Sequence, residues 1–235
     1  MRKIQIVVRM CDGTSNTALR PVGFEKEKCF QNLLTTKDEM TNVTVFFDGN
    51  PKNHFVSKYS VPIVEFSDGG SDAKSMRGLV QYLIQQQYDP ETILYIVEDD
   101  FYHRPGWPSI LREAFSGTMQ PSLLQPTYVT LYVHLDKYDH PMYTRLLSMI
   151  GITKSIHWRT VPSTVNTCAM LFKSFQEDFD VFYKYTCIDD TYAYDNDKYL
   201  ELGRERGRII MSCIPGYSTH MQTNVLAPCV DWSAY

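Results

Sequence analysis

The sequence predicts an α/β fold, a central mostly parallel (mixed) sheet flanked by helices. Three observations carry this. Apolar, partly β-branched runs at Ile4 to Val8, Val43 to Phe47, Val61 to Phe66 and Ile93 to Val97 read as strands buried on both faces. Stretches of helical period alternate with them, which implies strands covered by helices. Three of the strands end in Asp- or Gly-bearing turns: Cys11-Asp12-Gly13-Thr14-Ser15-Asn16, Asp48-Gly49-Asn50-Pro51 and Ser67-Asp68-Gly69-Gly70-Ser71-Asp72.

The elements follow in order. Ile4 to Val8 is the first strand. Glu25 to Leu34 is a helix, because Phe24, Cys29, Phe30, Leu33 and Leu34 recur at helical spacing. The strands at Val43 and Val61 precede a helix from about Ala73 to Gln87, whose inner stripe is Met76, Leu79, Val80, Leu83 and Ile84. The strand at Ile93 leads to a helix opening at Pro108, a residue suited to the first helical position. Its apolar side is Ile110, Leu111, Ala114 and Phe115.

The second half is less regular. Thr127 to Leu135 alternates in part, and Met142 to Ile150 is a short helical pattern. Ser155 to Val161 and Thr167 to Phe172 are strands, and Phe175 to Tyr185 is an acidic-aromatic helix. Asp189-Asp190 heads a helical segment that ends at Gly203. Arg204, Arg206 and Arg208 read as a solvated face, and Ile209 to Ile214 is the last strand.

A length of 235 residues fits a single domain, 1–235, and 43% hydrophobic residues supply its core. A net charge of −4 gives no global basic field, so nucleic acid is not expected as a partner. Met1-Arg2-Lys3 is followed by only five mostly apolar residues, too short for a secretory h-region. No run approaches the ~20 apolar residues of a transmembrane segment; peripheral membrane contact stays open. The six cysteines are scattered without a C-x-x-C pair, which argues against zinc and fits a cytoplasmic protein with reduced thiols.

The chemistry gathers at Glu98-Asp99-Asp100, directly after the strand at Ile93. In open α/β sheets, ligands bind just beyond the carboxyl ends of such strands. Three adjacent carboxylates repel one another, and a divalent cation, Mn2+ or Mg2+, is the expected compensation. A surface acidic turn is the competing reading. The Asp and Gly turns ending the other strands suit a nucleotide.

This order of features resembles a GT-A-fold glycosyltransferase, with a Rossmann-like sheet and an acidic metal motif after a buried strand. The stretch from Tyr95 to Trp107, with Glu98-Asp99-Asp100 in place of a strict D-x-D, is similar to family-2-like nucleotide-sugar transferases. So is the tail Pro215-Gly216-Tyr217-Ser218-Thr219-His220 with its continuation to Trp232. The resemblance implies a nucleotide-binding half, about 1–117, and an acceptor-binding half, about 118–235. It implies a nucleoside-diphosphate sugar as donor, UDP foremost, a glycan or glycoprotein acceptor, and transfer with inversion. Asp100 would be the main metal ligand, and Asp99 would contact the metal through water or the ribose. Asp48 would take the base of the nucleotide, where a carboxylate accepts from a ring N–H; the bland alternative is a turn-forming Asp.

His220 would complete the metal shell, since neutral imidazole suits Mn2+; otherwise it caps a loop. Asp190, or Asp189, would be the base that takes the acceptor hydroxyl's proton, with a helix N-cap as the alternative. Arg9 and Arg77 are the phosphate partners, and Trp158 a stacking face for acceptor sugar, although core packing is the common fate of a lone Trp. Two functions compete with glycosyl transfer. A nucleotidyltransferase acting on sugar phosphates would carry a more Gly- and Lys/Arg-rich loop after the first strand than Met10-Cys11-Asp12-Gly13-Thr14. A non-catalytic nucleotide- or carbohydrate-binding module would not depend on Asp190.

Overall fold

The computed structural model describes residues 1–12 and 19–234. The turn residues Gly13, Thr14, Ser15 and Asn16 therefore lie outside the described residues. The first half runs Ile4–Cys11 (β1), Lys26–Thr36 (α1), Thr41–Asp48 (β2), Ile63–Phe66 (β3), Asp72–Ile84 (α2), Ile93–Glu98 (β4), Phe101–His103 (β5) and Trp107–Ala114 (α3). The second runs Tyr128–Thr130 (β6), Asp136–Asp139 (α4), Ile150–Ile152 (β7), His157–Thr160 (β8), Cys168–Leu171 (β9), Phe172–Glu177 (α5), Phe179–Tyr185 (α6), Asp195–Arg206 (α7), Ile210–Ile214 (β10) and Ser218–His220 (β11).

Nine strands form one Rossmann-like mixed sheet in the order β3-β2-β1-β4-β9-β6-β10-β8-β7, so it passes through both halves of the chain. Strands β1 to β4 are mutually parallel. Strand β9 runs antiparallel to both β4 and β6, which lets it join the halves. Side chains alternate across the sheet with period two. Ile4, Ile6, Val8 and Met10 of β1 face a core with Phe30 and Leu33 of α1 and Leu111 of α3. Val7 faces the opposite core with Met76 and Leu79 of α2, Phe182 of α6 and Tyr199 of α7. Each such side chain, fully buried, contributes about 1.5–3 kcal/mol, and this two-sided burial is what the apolar runs encode.

The chain moves outward from β1 to β2 and β3, then α2 carries it back across to β4 on the other side of β1. The strand order thus reverses between β1 and β4, and the crevice at their carboxyl ends is the expected ligand position in such sheets.

Several local expectations are corrected. Met142 to Ile150 is not a helix: 141–145 is turn, 146–149 is irregular, and Ile150 opens β7. Met142, Leu146, Leu147 and Met149 are all at least half exposed and only Tyr143 is buried, so a short helical pattern has too little apolar burial to stabilise it. The acidic-aromatic helix divides at Asp178, which is fully buried and accepts from Tyr128 Oη at 2.6 Å, Arg208 Nη2 at 2.9 Å and Arg206 Nη1 at 3.2 Å. Arg206 and Arg208 therefore clamp a buried acid and are not a solvated face. The segment after Asp190 stays irregular through Tyr194, and α7 begins only at Asp195. Among the described residues, no helix is long and apolar enough to cross a membrane.

Candidate functional site

A cleft of about 630 Å³ lies at the carboxyl ends of β1, β2 and β4, lined by Arg9, Asp12, Asp48, Ser71, Asp72, Glu98, Asp99, Asp100 and His220. Strand register builds its floor. Arg9 stands opposite Glu98 across the β1–β4 pairing, and Cys11 opposite Asp48 across β1–β2. Asp48 Oδ2 accepts the backbone N–H of Gly70 at 3.1 Å. A Cβ at Gly69 would stand 1.9 Å from the Asp48 carboxylate, so a residue without one is required there.

Each acid of Glu98-Asp99-Asp100 has its own cation, supplied by a different segment. Arg9 Nη2 reaches Glu98 at 2.8 Å while its Nη1 holds Asp72 at 2.6 Å. Lys26, the first residue of α1, reaches Asp99 at 2.8 Å. Arg20 Nη2 and His220 Nε2 meet Asp100 Oδ2 at 2.9 Å and 2.8 Å. Mutual repulsion among the three acids is thus met in this structure by protein cations.

His220 reaches the site through a pairing that no local sequence pattern announces. Strand β11 pairs antiparallel with β5, setting His220 opposite Phe101. The backbone N–H of Met221 donates to Asp100 O at 2.9 Å, and the imidazole stacks on the buried Phe101 ring with centroids 5.1 Å apart.

The electrostatics differ along the triplet. Burial pushes the Glu98 carboxyl up, only partly offset by Arg9. Burial likewise raises Asp99 against the pull of Lys26. Burial also works to raise Asp100, but hydrogen bonding and charge from His220, then Arg20, outweigh it and hold the carboxyl below the usual range. His220 mirrors this: burial would lower its pKa, and the bond and charge of Asp100 raise it instead.

Asp100 Oδ2 and His220 Nε2 are hydrogen-bonded to each other at 2.8 Å, and Arg20 shares that oxygen at 2.9 Å. A carboxylate and a neutral imidazole are donors that Mn2+ accepts, and an ion here would replace the shared proton. Among the described residues no group of three or more His, Cys, Asp and Glu side chains is placed to hold a metal ion. The lining carries six acids, Asp12, Asp48, Asp72, Glu98, Asp99 and Asp100, together with Arg9 and His220, and Arg20 and Lys26 reach the acids from beside it.

Of the residues singled out from sequence, Arg9, Asp48, Asp99, Asp100 and His220 converge on this cleft. The others do not line it. Arg77, expected at phosphate, donates to Thr186 O and pairs with Asp190 at 3.0 Å. Asp190 is held there with a side chain 62% exposed. Asp189 forms a turn, accepting from the backbone N–H groups of Thr191 at 2.6 Å and Tyr192 at 3.1 Å and from Tyr194 Oη. Trp158 is fully buried, its Nε1 donating to Thr153 Oγ1 at 3.1 Å, so it offers no face to a sugar.

The acid that heads the helix is Asp195, which the acidic pair at Asp189-Asp190 hides in the sequence. The 187–194 loop is tied to the cleft by Ala193, whose N–H donates to Asp72 Oδ2 at 2.9 Å. Tyr194 enters α7 with φ of 43°, an uncommon left-handed conformation for a residue with a side chain. Burial raises the Asp195 carboxyl above its ordinary value, partly offset by Lys198. A signal was present: Asp195 and Asp197 directly precede the buried period Lys198, Tyr199, Leu202, and acids favour a first helical turn.

No protein-family model matches this chain, and no curated protein matches it. Among solved structures it is similar to a 4-diphosphocytidyl-2C-methyl-D-erythritol synthase, with TM-score 0.50 and 10% identity over 100% of this chain and 97% of that one. The corresponding synthase from Anaerococcus prevotii gives 0.48 and 11%, covering 97% and 94%. A galactosyltransferase in complex with donor and acceptor sugar analogs gives 0.47 and 8%, covering 84% and 69%. At such identity the first likeness shows a shared fold.

Proposed function

We propose that this chain is a divalent-metal-dependent glycosyltransferase that takes a sugar from a nucleoside-diphosphate sugar, UDP-linked foremost, and passes it to an acceptor hydroxyl. One observation supports the reading: the Asp100–His220 pair sits at the switch point of the sheet, in a cleft whose acids outnumber its protein cations. A diphosphate enters such a cleft only with an added cation, since like charges at a few ångströms in a partly buried site repel by several kcal/mol.

In this reading Asp100 and His220 hold Mn2+ or Mg2+. The ion, when bound, neutralises the charge that builds on the departing nucleoside diphosphate. Asp48, at the end of β2, accepts a hydrogen bond from the base. Asp99 faces the ribose, fixed by Lys26. Arg9 keeps Glu98 and Asp72 in place and lends positive charge to the floor. Asp195 takes the proton of the acceptor hydroxyl as that oxygen attacks the anomeric carbon from the face opposite the leaving group, giving inversion. Burial supports this role, because a raised carboxyl pKa lies nearer the working pH of a general base. Residues 1–117 then hold the donor and 118–235 the acceptor.

The shared fold with the synthase favours nucleotidyl transfer to a sugar phosphate as the second reading. A screen separates the two. Nucleotide-sugars and nucleoside triphosphates are offered with Mn2+, and products are identified. Release of nucleoside diphosphate from a nucleotide-sugar supports glycosyl transfer, and release of diphosphate from a triphosphate supports the alternative. If UDP with Mn2+ raises thermal stability no more than either alone, and no other nucleotide does so, both readings fall.

A further inference from the structure

Beyond Asp195 lies a second pocket of about 160 Å³, walled by β6, β8, β10 and the turn at α4. Its chemistry is set by Arg159 on β8, which is only 8% exposed. Arg9, Arg20, Arg112 and Arg208 each pair with an acid. Arg159 has no acid partner among the described residues. Its Nε is buried without a hydrogen-bond partner, its Nη2 makes one long contact to Lys137 O at 3.5 Å, and its guanidinium lies over the Tyr138 ring at 4.3 Å. A guanidinium withdrawn from water with no counter-ion is costly, and the cost is relieved by an anion.

The other charges around the pocket leave this need unmet. Asp136 lies 2.8 Å from His134 Nδ1 and 3.2 Å from Lys137 Nζ. Lys137, its side chain 7% exposed, also donates to Ser163 Oγ at 3.0 Å. Asp195 is the other acid of the lining, and it feels the charges of Asp72 and Arg9, which line the donor cleft. Hydroxyls of Ser163 and Thr164 complete a wall able to bond an oxyanion.

The geometry points to an acceptor that carries one oxyanion, a carboxylate or a phosphate monoester, seated on Arg159 while its hydroxyl faces Asp195. The planar fork of arginine matches either group. This rests on the proposed transferase function for its meaning as an acceptor site, but the binding itself does not.

The test is therefore run without nucleotide and with a chelator. Inorganic phosphate, glycerol phosphate, glucuronate and, as control, chloride are titrated at matched ionic strength, with calorimetry and thermal unfolding as readouts. Saturable binding of phosphates or of glucuronate, absent with chloride, is expected, and which binds identifies the source of the oxyanion. Arg159→Met should weaken that binding at least 10-fold. Arg159→Lys, which keeps the charge and serves should the first variant not fold, should weaken it at least 3-fold. Equal responses to all salts, no saturation, or undiminished binding in Arg159→Lys overturns the assignment. Anion binding without transfer from any nucleotide-sugar would instead overturn the function and leave the pocket standing. A nucleotide–metal response without anion binding would do the reverse.

Discussion

Glu98-Asp99-Asp100 and Asp189-Asp190 look alike as sequence, each a short run of acids after apolar residues, and the fold treats them oppositely. The first is drawn into the sheet's switch point, where Asp100 is 6% exposed and each acid meets a cation from a distant segment. The second stays on a loop, one acid closing a turn and the other reaching two surface cations. What separates them is the partner set and the burial that the partners permit. A carboxylate stripped of water must be paired, so a buried acid cluster is expensive to build, whereas an exposed pair costs little and signals little.

The most disruptive way to probe that difference is Asp100→Ala. It leaves Arg20 and His220 facing a partly buried void, and removing one member of a buried pair costs about 3–5 kcal/mol. For a chain of this length that is a fall in Tm of roughly 10 °C. The Mn2+-dependent part of the UDP-induced shift should vanish with it. A retained metal response would place the ion elsewhere. Next in size is Asp195→Asn. Loss of a general base lowers transfer by about 10²–10⁴, with donor KM unchanged because Asp195 stands outside the donor cleft. Unaltered turnover would leave the base unassigned or point to retention of configuration.

The same contrast explains what could be read from the chain. Runs such as Ile93 to Val97 were legible because burial on both faces forces continuous apolar sequence. Asp48, Asp99 and Asp100 were legible because they terminate such runs. Partners were not. Lys26, Arg20 and Arg9 meet the triplet through contacts 73 to 89 residues apart, and no periodicity encodes that. The short β5 and β11 strands find each other across the sheet's end, so only the fold reveals why His220 reaches Asp100. The helix start is obscured for a local reason: Asp189-Asp190 reads as one, but its turn delays the helix to Asp195. Residue type alone suggests Trp158 and Arg77, and packing gives them other partners.

A third prediction concerns pH. His220 is raised above 6.5 in the folded protein, so its bond to Asp100 contributes stability that is fully present below 6.5 and is lost as pH rises through the folded value. Asp100 is lowered below 3.8, so its contribution is present above 3.8 and lost as pH falls through its folded value. Between those limits the metal-free protein should be more stable than His220→Gln, with the gap closing on the alkaline side. The metal response should run the other way, growing as pH rises from about 6 to about 8, because the ion needs the imidazole without its proton. A gap in Tm that stays constant with pH would show that the pair is not formed.

The smallest effect belongs to Asp190→Asn. Its carboxylate is 62% exposed and reaches Arg77 at 3.0 Å and Lys74 at 3.6 Å, and exposed pairs of this kind are worth about 0–1 kcal/mol. Arg77 keeps its bond to Thr186 O, so the loop stays anchored to α2. Stability should move by less than about 1 kcal/mol, and transfer should stay within a few-fold of wild type. The variant discriminates because it is so nearly neutral: a drop of about 10² or more with unchanged stability would mean that the 187–194 loop swings Asp190 to the acceptor during turnover, and the base would pass from Asp195 to Asp190.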